Sequence, residues 1–466
     1  MQRCAADPRP DCFARARRHL YSHLACFGRH TITGLLRSQN RLQEDWSADY
    51  RLYSRGRFAE EQVFANIRQE IEKSAPKEAP LVVAMDDSLL RKTGCHIAGA
   101  RYQRDPLSPP FHINFVRGLR VLQISAALPQ GQGGARLVPI DFQHAALPAK
   151  PRRGADAEKL AAYEAERKKR NINVVGLQRL AALRRQMDED GSKERRLIAS
   201  IDGRFTNGTV LRGKLERTVL IGRVRKDALF HYAPQAQPAL GRRRKYGERA
   251  PTPQALLEDE SVPFQSVRAF ACGEEREFQF KTLGPLYMPM NKGEAPVRLV
   301  VIKPVAYRSR VTRKLQRREP AYLICTDVDL PLPEVLQDFL WRWDIEVNFR
   351  DEKTILGVGQ AQVRGEAANQ HAPSLAVAAY ALLLLASIKT YGANGRPDTL
   401  PEPRWRKRKA QARASANDLI NQLRVEMWGC ALKQCHFQAF TSRATPDQNA
   451  EKFEPPLAAS IFLSIK

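Results

Sequence analysis

The stretch "FLWRWDIEVNFRDEK", residues 339–353, decides how this chain is read. It is crowded with aromatic residues, yet a carboxylate, Glu346, stands in its middle among Arg342, Arg350 and Lys353. An α-helix turns by about 100° per residue. On such a wheel Phe339, Arg342, Glu346 and Lys353 fall within roughly 60° of one another. One helical face would then carry a ring, two cations and an acid. An acid flanked by bases on a helix is most often a surface ion pair. The density of aromatic residues around Glu346 argues against full exposure, so the acid calls for another explanation.

Two further segments supply partners. "LVVAMDDS" (residues 81–88) and "RRLIASIDG" (residues 195–203) each read as a buried strand closing on acid, at Asp86 or Asp87 and at Asp202. A carboxylate at the end of a strand lies at the rim of a sheet, where loops and ligands meet. Taken singly, such an Asp is more often a turn or helix-cap residue. Three acids from distant parts of a chain can also converge on one point. Their repulsion is then relieved by a divalent cation that prefers oxygen ligands, Mg²⁺ or Mn²⁺. Two such ions a few ångströms apart can activate an attacking water or hydroxyl and stabilise the leaving oxygen of a phosphodiester.

The whole chain favours that direction. Its 466 residues suggest two or three domains, and 43% hydrophobic residues suffice for a sizeable core. Lys and Arg number 76 against 50 Asp and Glu, a net charge of +26. A charge of that size points to an acidic polymer, nucleic acid above all, ahead of a merely soluble basic surface. Eight cysteines are scattered without a CxxC pair, which suits a reducing compartment. "CALKQCH" (Cys430, Cys435, His436) is the nearest approach to a zinc site and lacks a second half; buried thiols are the better reading. The first residues have no apolar core of the kind a signal peptide needs. The longest apolar run, residues 374–388, is shorter than the ~20 residues of a membrane span and reads as a buried helix.

Along the chain, residues 1–78 read as basic amphipathic helices suited to DNA docking or to a plain bundle. The prolines of "SAPKEAP" (residues 74–80) mark a linker. "LRVLQISAAL" (119–128) and "RLVPIDF" (136–142) read as consecutive antiparallel strands, and residues 155–189 as one broken helix or two. Short strands separated by basic loops, "GRRRKYGERAPTP" (241–253) among them, fill residues 215–330. Helices return from about 333, and the tail carries a basic run, "PRWRKRKAQAR" (403–413). No internal repeat is evident.

The motif residues resemble the signature of bacterial insertion-sequence DDE transposases, the insertion sequence 4 and 701 groups: Tyr, two residues, Arg, three residues, Glu, six residues, Lys. Arg342, Glu346 and Lys353 match in type and spacing. The Tyr position holds Phe339, which keeps the ring and lacks the hydroxyl. "MDDSLLRKTGCHIAGARYQ" (85–103) and "SIDGRFTNGTVL" (200–211) resemble the family's two aspartate segments, and "DYRLYSRGRF" (49–58) resembles part of its N-terminal domain. The likeness spans roughly residues 30–390.

This resemblance implies an α/β fold with an RNase H-like catalytic core, a β-rich insertion and an N-terminal helical domain. The partition it suggests is 1–78 for the helical DNA-binding domain and 79–214 for the first part of the core. The insertion would be 215–330, the core's C-terminal helices 331–395, and a basic C-terminal region 396–466. It further implies a cut-and-paste transposase, a homodimer on double-stranded DNA that cleaves at its element's inverted terminal repeats. The freed 3′-hydroxyl would then be joined to target DNA, in the bacterial nucleoid and away from membranes. Asp86, Asp202 and Glu346 would be catalytic and would hold two Mg²⁺ or Mn²⁺ ions. Adjacent strand residues point to opposite faces, so at most one of Asp86 and Asp87 is a primary ligand. Asp86, with Ser88 two residues on, fits better, leaving Asp87 as a group that supports the ligand. Arg342, Arg350 and Lys353 would hold DNA phosphates, and Phe339 would stack on a base or simply pack. The competing readings are an RNase H-like nuclease without strand transfer, a transposase-derived DNA-binding protein that no longer cuts, and a zinc-dependent module at the C-terminus.

Overall fold

The computed structural model describes residues 10–39, 41–105, 108–109, 111–130, 133–235, 244–307, 314–392, 395–396 and 413–424. Four helices come first: α1 (Pro10–Ala25), α2 (Ile32–Ser38), α3 (Ser47–Ser54) and α4 (Glu60–Lys73). Strands β1 (Leu81–Arg91), β2 (Arg101–Arg104), β3 (Phe115–Pro129) and β4 (Ala135–His144) follow. Helices α5 (Ala157–Lys169) and α6 (Ile172–Glu189) lead into β5 (Leu197–Ile201), α7 (Gly208–Leu211), β6 (Thr218–Arg223) and α8 (Pro253–Glu258). The remaining strands are β7 (Gln265–Ala271), β8 (Glu274–Leu286), β9 (Val297–Ile302), β10 (Ala306–Tyr307), β11 (Gln316–Arg317) and β12 (Ala321–Cys325). Helices α9 (Leu332–Trp341), α10 (Asp344–Thr354) and α11 (Glu366–Tyr391) close the series, with a short helical piece over 416–424.

One mixed sheet of ten strands organises these elements. β4, β3 and β1 run antiparallel in that order, and β5 and β6 then join β1 in parallel. β12, β9, β8 and β7 continue the same sheet through antiparallel pairs. Residues 215–330 therefore share one sheet with residues 79–214. Parallel central strands are covered on both faces and read as unbroken apolar runs. Accordingly Val83 and Met85 of β1 pack into one core with α4, α6 and α11, while Val82 and Ala84 pack into a second core with α9 and α10.

The expected break within residues 155–189 falls at Arg170–Asn171, where the Asn171 side chain accepts the Asn173 N–H and starts α6. Helix α11 is long and apolar enough to cross a membrane, but 72% of its most apolar window is buried against the rest of the protein. A helix apolar all round is buried in a core or spans a membrane, and residues of α11 pack into the core they share with α4, α6 and β1. The tail run 403–412, basic residues 241–243, and Cys430, Cys435 and His436 lie outside the described residues.

Two local expectations are revised. The first aspartate is not at the end of its strand: β1 runs on to Arg91, because β3 keeps pairing with it as far as Gly118. The motif helix is not continuous: α9 ends at Trp341 and α10 begins at Asp344. Across the junction the N–H groups of Arg342, Trp343, Ile345 and Glu346 bond to the carbonyl three residues back, not four. The tightened turn changes the rotation per residue, so a uniform step of about 100° does not hold from Phe339 to Glu346.

Candidate active site

β5 ends at Ile201, which lies in parallel register with Met85 of β1. The next residue on each chain segment is an aspartate, Asp202 and Asp86. Neighbouring strands are about 4.8 Å apart, so the two carboxyls leave the sheet side by side. The Asp86 carboxyl is pushed up to about 7, by burial first and then by the charge of Asp202. One oxygen of Asp202 accepts the N–H groups of Arg204 (2.9 Å) and Phe205 (3.2 Å), which fixes its orientation.

Glu346 enters from the first turn of α10. Arg342, in the tightened turn, reaches both acids: Nη1 is 3.2 Å from Asp86 Oδ2 and Nη2 is 3.6 Å from Glu346 Oε1. Burial pushes the Glu346 carboxyl up, Arg342 pulls it back, and the charge of Asp202 adds to the rise. The structure thus brings Asp86, Asp202 and Glu346 within electrostatic reach of one another, with a guanidinium between two of them.

Asp87 faces the other way. Its Oδ2 accepts from Arg120 Nε at 2.8 Å, and its Oδ1 lies 3.6 Å from Arg204. Through Arg204 it braces the turn that carries Asp202. Lys353 donates to the Ser88 hydroxyl at 2.6 Å, and burial lowers its pKa. Ser88 is two residues from Asp86 and on the same face. The loop after α10 closes this corner: Gly359 has a left-handed φ of +97°, and a Cβ there would stand 3.2 Å from Leu90. Lys92 Nζ donates to the Gly359 and Ala361 carbonyls at 2.6 and 2.8 Å, tying the loop to the end of β1.

The remaining candidates divide. Phe339 packs on the second core, and Arg342 stands 5.7 Å over its ring. Arg350 turns to its neighbour Asp351 at 2.9 Å and is mostly exposed. Several residues at the site are not among the sequence candidates. Trp343, three residues before Glu346, is 56% exposed, with Arg318 5.9 Å over its ring. Asp344 accepts the Leu137 N–H at 2.9 Å and a forked contact from Arg413, which pins the start of α10 to β4 and to the chain's later residues. Trp343 stood in the quoted stretch, but its exposure depends on the turn and left no trace in the spacing.

Beneath the site, Glu352 is fully buried and accepts from Gln123 Nε2 at 3.0 Å; burial pushes it up to about 8. A carboxyl raised in the folded state favours folding while protonated, and that contribution is lost as pH rises through its folded pKa. Metal-free protein is therefore expected to melt at a lower temperature at pH 9 than at pH 6. Glu352→Gln keeps the bond from Gln123 and should shrink that difference. Calorimetry at the two pH values tests this; an equal difference in both proteins would contradict it.

The donor set suits a hard divalent cation: three carboxylates and no soft ligand, in mutual repulsion. Among the described residues no group of three or more His, Cys, Asp or Glu side chains is placed so that it could hold a metal ion as the side chains stand. Arg342 supplies the positive charge between Asp86 and Glu346. The three carboxylates fit such a cation in donor chemistry, and Arg342 now holds the place between Asp86 and Glu346. No protein-family profile matches this chain, and no curated protein does either.

Proposed function

We propose that the protein is a metal-dependent DNA transposase of the DDE type, built on an RNase H-like core. The observation that carries this reading is the register of β1 and β5, which sets Asp86 beside Asp202, with Glu346 delivered to the same place by α10. The strand order β4-β3-β1-β5-β6, three antiparallel strands followed by two parallel to the first, supports the core assignment. The net charge of +26 supports DNA as the partner.

Asp86, Asp202 and Glu346 would hold Mg²⁺ or Mn²⁺. Bound there, the metal supplies Lewis-acid activation of the attacking hydroxyl and of the leaving oxygen. Arg342 and Lys353 would place the scissile phosphate: Arg342 through its two-pronged guanidinium, Lys353 as a point charge steadied by Ser88. Cleavage at the element's ends and joining of the 3′-hydroxyl to target DNA are both in-line displacements at phosphorus, so one site can serve both. A homodimer on DNA in the bacterial nucleoid follows from the same proposal, with the basic N-terminal helices gripping the ends.

The test is a nicking and target-joining assay on duplexes taken from the DNA flanking the gene. Cleavage is expected with Mg²⁺ or Mn²⁺, and binding without cutting with Ca²⁺. Cutting that persists in EDTA would overturn the reading; cutting without joining would make the protein a nuclease. One observation favours a second reading, a DNA-binding protein that no longer cuts: among the described residues no group of acids is arranged to hold a metal, and Arg342 stands between Asp86 and Glu346. Binding of end DNA with no cleavage under any metal would establish that alternative.

A further inference from the structure

The hairpin of β2 and β3 carries an exposed pattern that the proposed chemistry does not use. Tyr102 pairs with Arg117, and Arg104 pairs with Phe115. Residues directly opposite on antiparallel strands share a face, so two rings and two guanidiniums alternate in a checkerboard. Tyr102 is 73% exposed and Phe115 is 65% exposed. Arg104 is exposed as well, while Arg117 braces the adjoining loop through the carbonyls of Gly94 and Cys95. Large rings left this open on a folded protein mark an interaction surface.

The pairing register locates this face. Asp86 lies opposite Gln123, Ser88 opposite Val121 and Leu90 opposite Leu119. Side chains alternate along β3, so Phe115 and Arg117 fall on the face of the sheet that carries Asp86 and Ser88. At about 3.3 Å per residue the checkerboard begins roughly 20 Å from Asp86 and ends roughly 26 Å from it. The loop after α10 covers Leu90 between the two, so a strand passes over that loop and, at about 3.4 Å per nucleotide, needs at least six to eight nucleotides.

We infer that this face binds an unpaired stretch of the DNA strand leading away from the cut, an inference that rests on reading the carboxylate site as a DNA-cutting centre. Tyr102 and Phe115 are diagonal neighbours across the pair, about 7–8 Å apart. That gap is about twice the stacking distance of 3.4 Å, so it admits one base between two rings. Arg104 stands beside it for the phosphate. Ring stacking takes any base, because every base has a π-face. Between Ser88 and Gly118 the chain carries five Lys and Arg (Arg91, Lys92, Arg101, Arg104, Arg117) against one acid, Asp105. That charge favours a polyanion over a second copy of a chain of net charge +26.

The test uses the full chain in EDTA, so that it needs neither metal nor cleavage. The probes are a fluorescein-labelled oligothymidine of about 20 nucleotides, the same strand with a 2-aminopurine, and a blunt duplex of equal length. Tyr102→Ala/Phe115→Ala should bind the single strand about tenfold or more weakly and abolish 2-aminopurine quenching. Its affinity for the blunt duplex should change less than about twofold. Tyr102→Trp/Phe115→Trp should retain both strand binding and quenching. Unchanged strand affinity and quenching in the double Ala variant would overturn the inference. So would a change confined to sedimentation, which would make the face a contact between copies. A protein that stacks the strand yet never cuts DNA with Mg²⁺ would sink the transposase reading and leave this surface standing. A protein that cuts DNA while the double Ala variant binds strand as wild type does would do the reverse.

Discussion

Glu346→Gln is expected to lower metal-dependent DNA cleavage by at least about a hundredfold while leaving DNA binding intact. Gln keeps the size of the side chain and removes its charge, and a neutral amide is a poor ligand for Mg²⁺. One negative charge near the phosphate path also disappears, so affinity for DNA should hold or rise. Because the Glu346 side chain is 42% exposed, its ion pair with Arg342 contributes at most about 1 kcal/mol to stability. A purely structural Glu346 therefore makes a different forecast: a small stability change and normal cleavage. A nicking assay beside a gel shift on the purified variant separates the two, and near-normal cutting would remove the catalytic assignment of α10.

Arg342→Ala should produce the largest change in the metal-free protein. Asp86 and Glu346 lose the cation between them, and Asp86 is only 16% exposed. Leaving a mostly buried acid without its partner destabilises the folded protein only while that acid is charged, so the loss is largest above about pH 7, where Asp86 titrates. Lowering pH should restore part of that loss, because a protonated Asp86 no longer needs a counter-charge. Mg²⁺ or Ca²⁺ should raise the melting temperature of the variant more than that of the wild type, since the cation no longer competes with a guanidinium. Cleavage should fall by about 10- to 100-fold through misplacement of the phosphate. Arg342→Lys keeps a charge but not the two-pronged reach and should fall between. Thermal melts with and without the metal decide the matter. If the variant is as stable as the wild type and neither responds to metal, Arg342 does not stand in for a cation.

The sequence by itself determined those features that depend on near neighbours in the chain. "LVVAM" and "LIASI" read as strands because residues buried on both faces are nearly all apolar, Ser200 being the exception. One broken helix or two over residues 155–189 was legible in the run of helix formers, whereas the place of the break, at Asn171 with its side chain capping α6, is seen in the structure. The acids stood out because carboxylates closing apolar runs are conspicuous. Tertiary structure alone decided what those acids meet. Asp86 and Asp202 are neighbours only through the parallel register of β1 with β5, and Asp87 is turned away by the alternation of β1 and held by Arg120 from β3. The turn at Arg342–Trp343 replaced a continuous helix because Asp344 is pinned to Leu137 and Arg413, groups far away in the chain. The Tyr102–Phe115 checkerboard likewise exists only in the pairing of β2 with β3. Local backbone and burial preferences are written residue by residue, whereas register, crossing and long-range ion pairs arise from the closure of the whole sheet, where the competing pairings differ by sums over many contacts that no single segment contains.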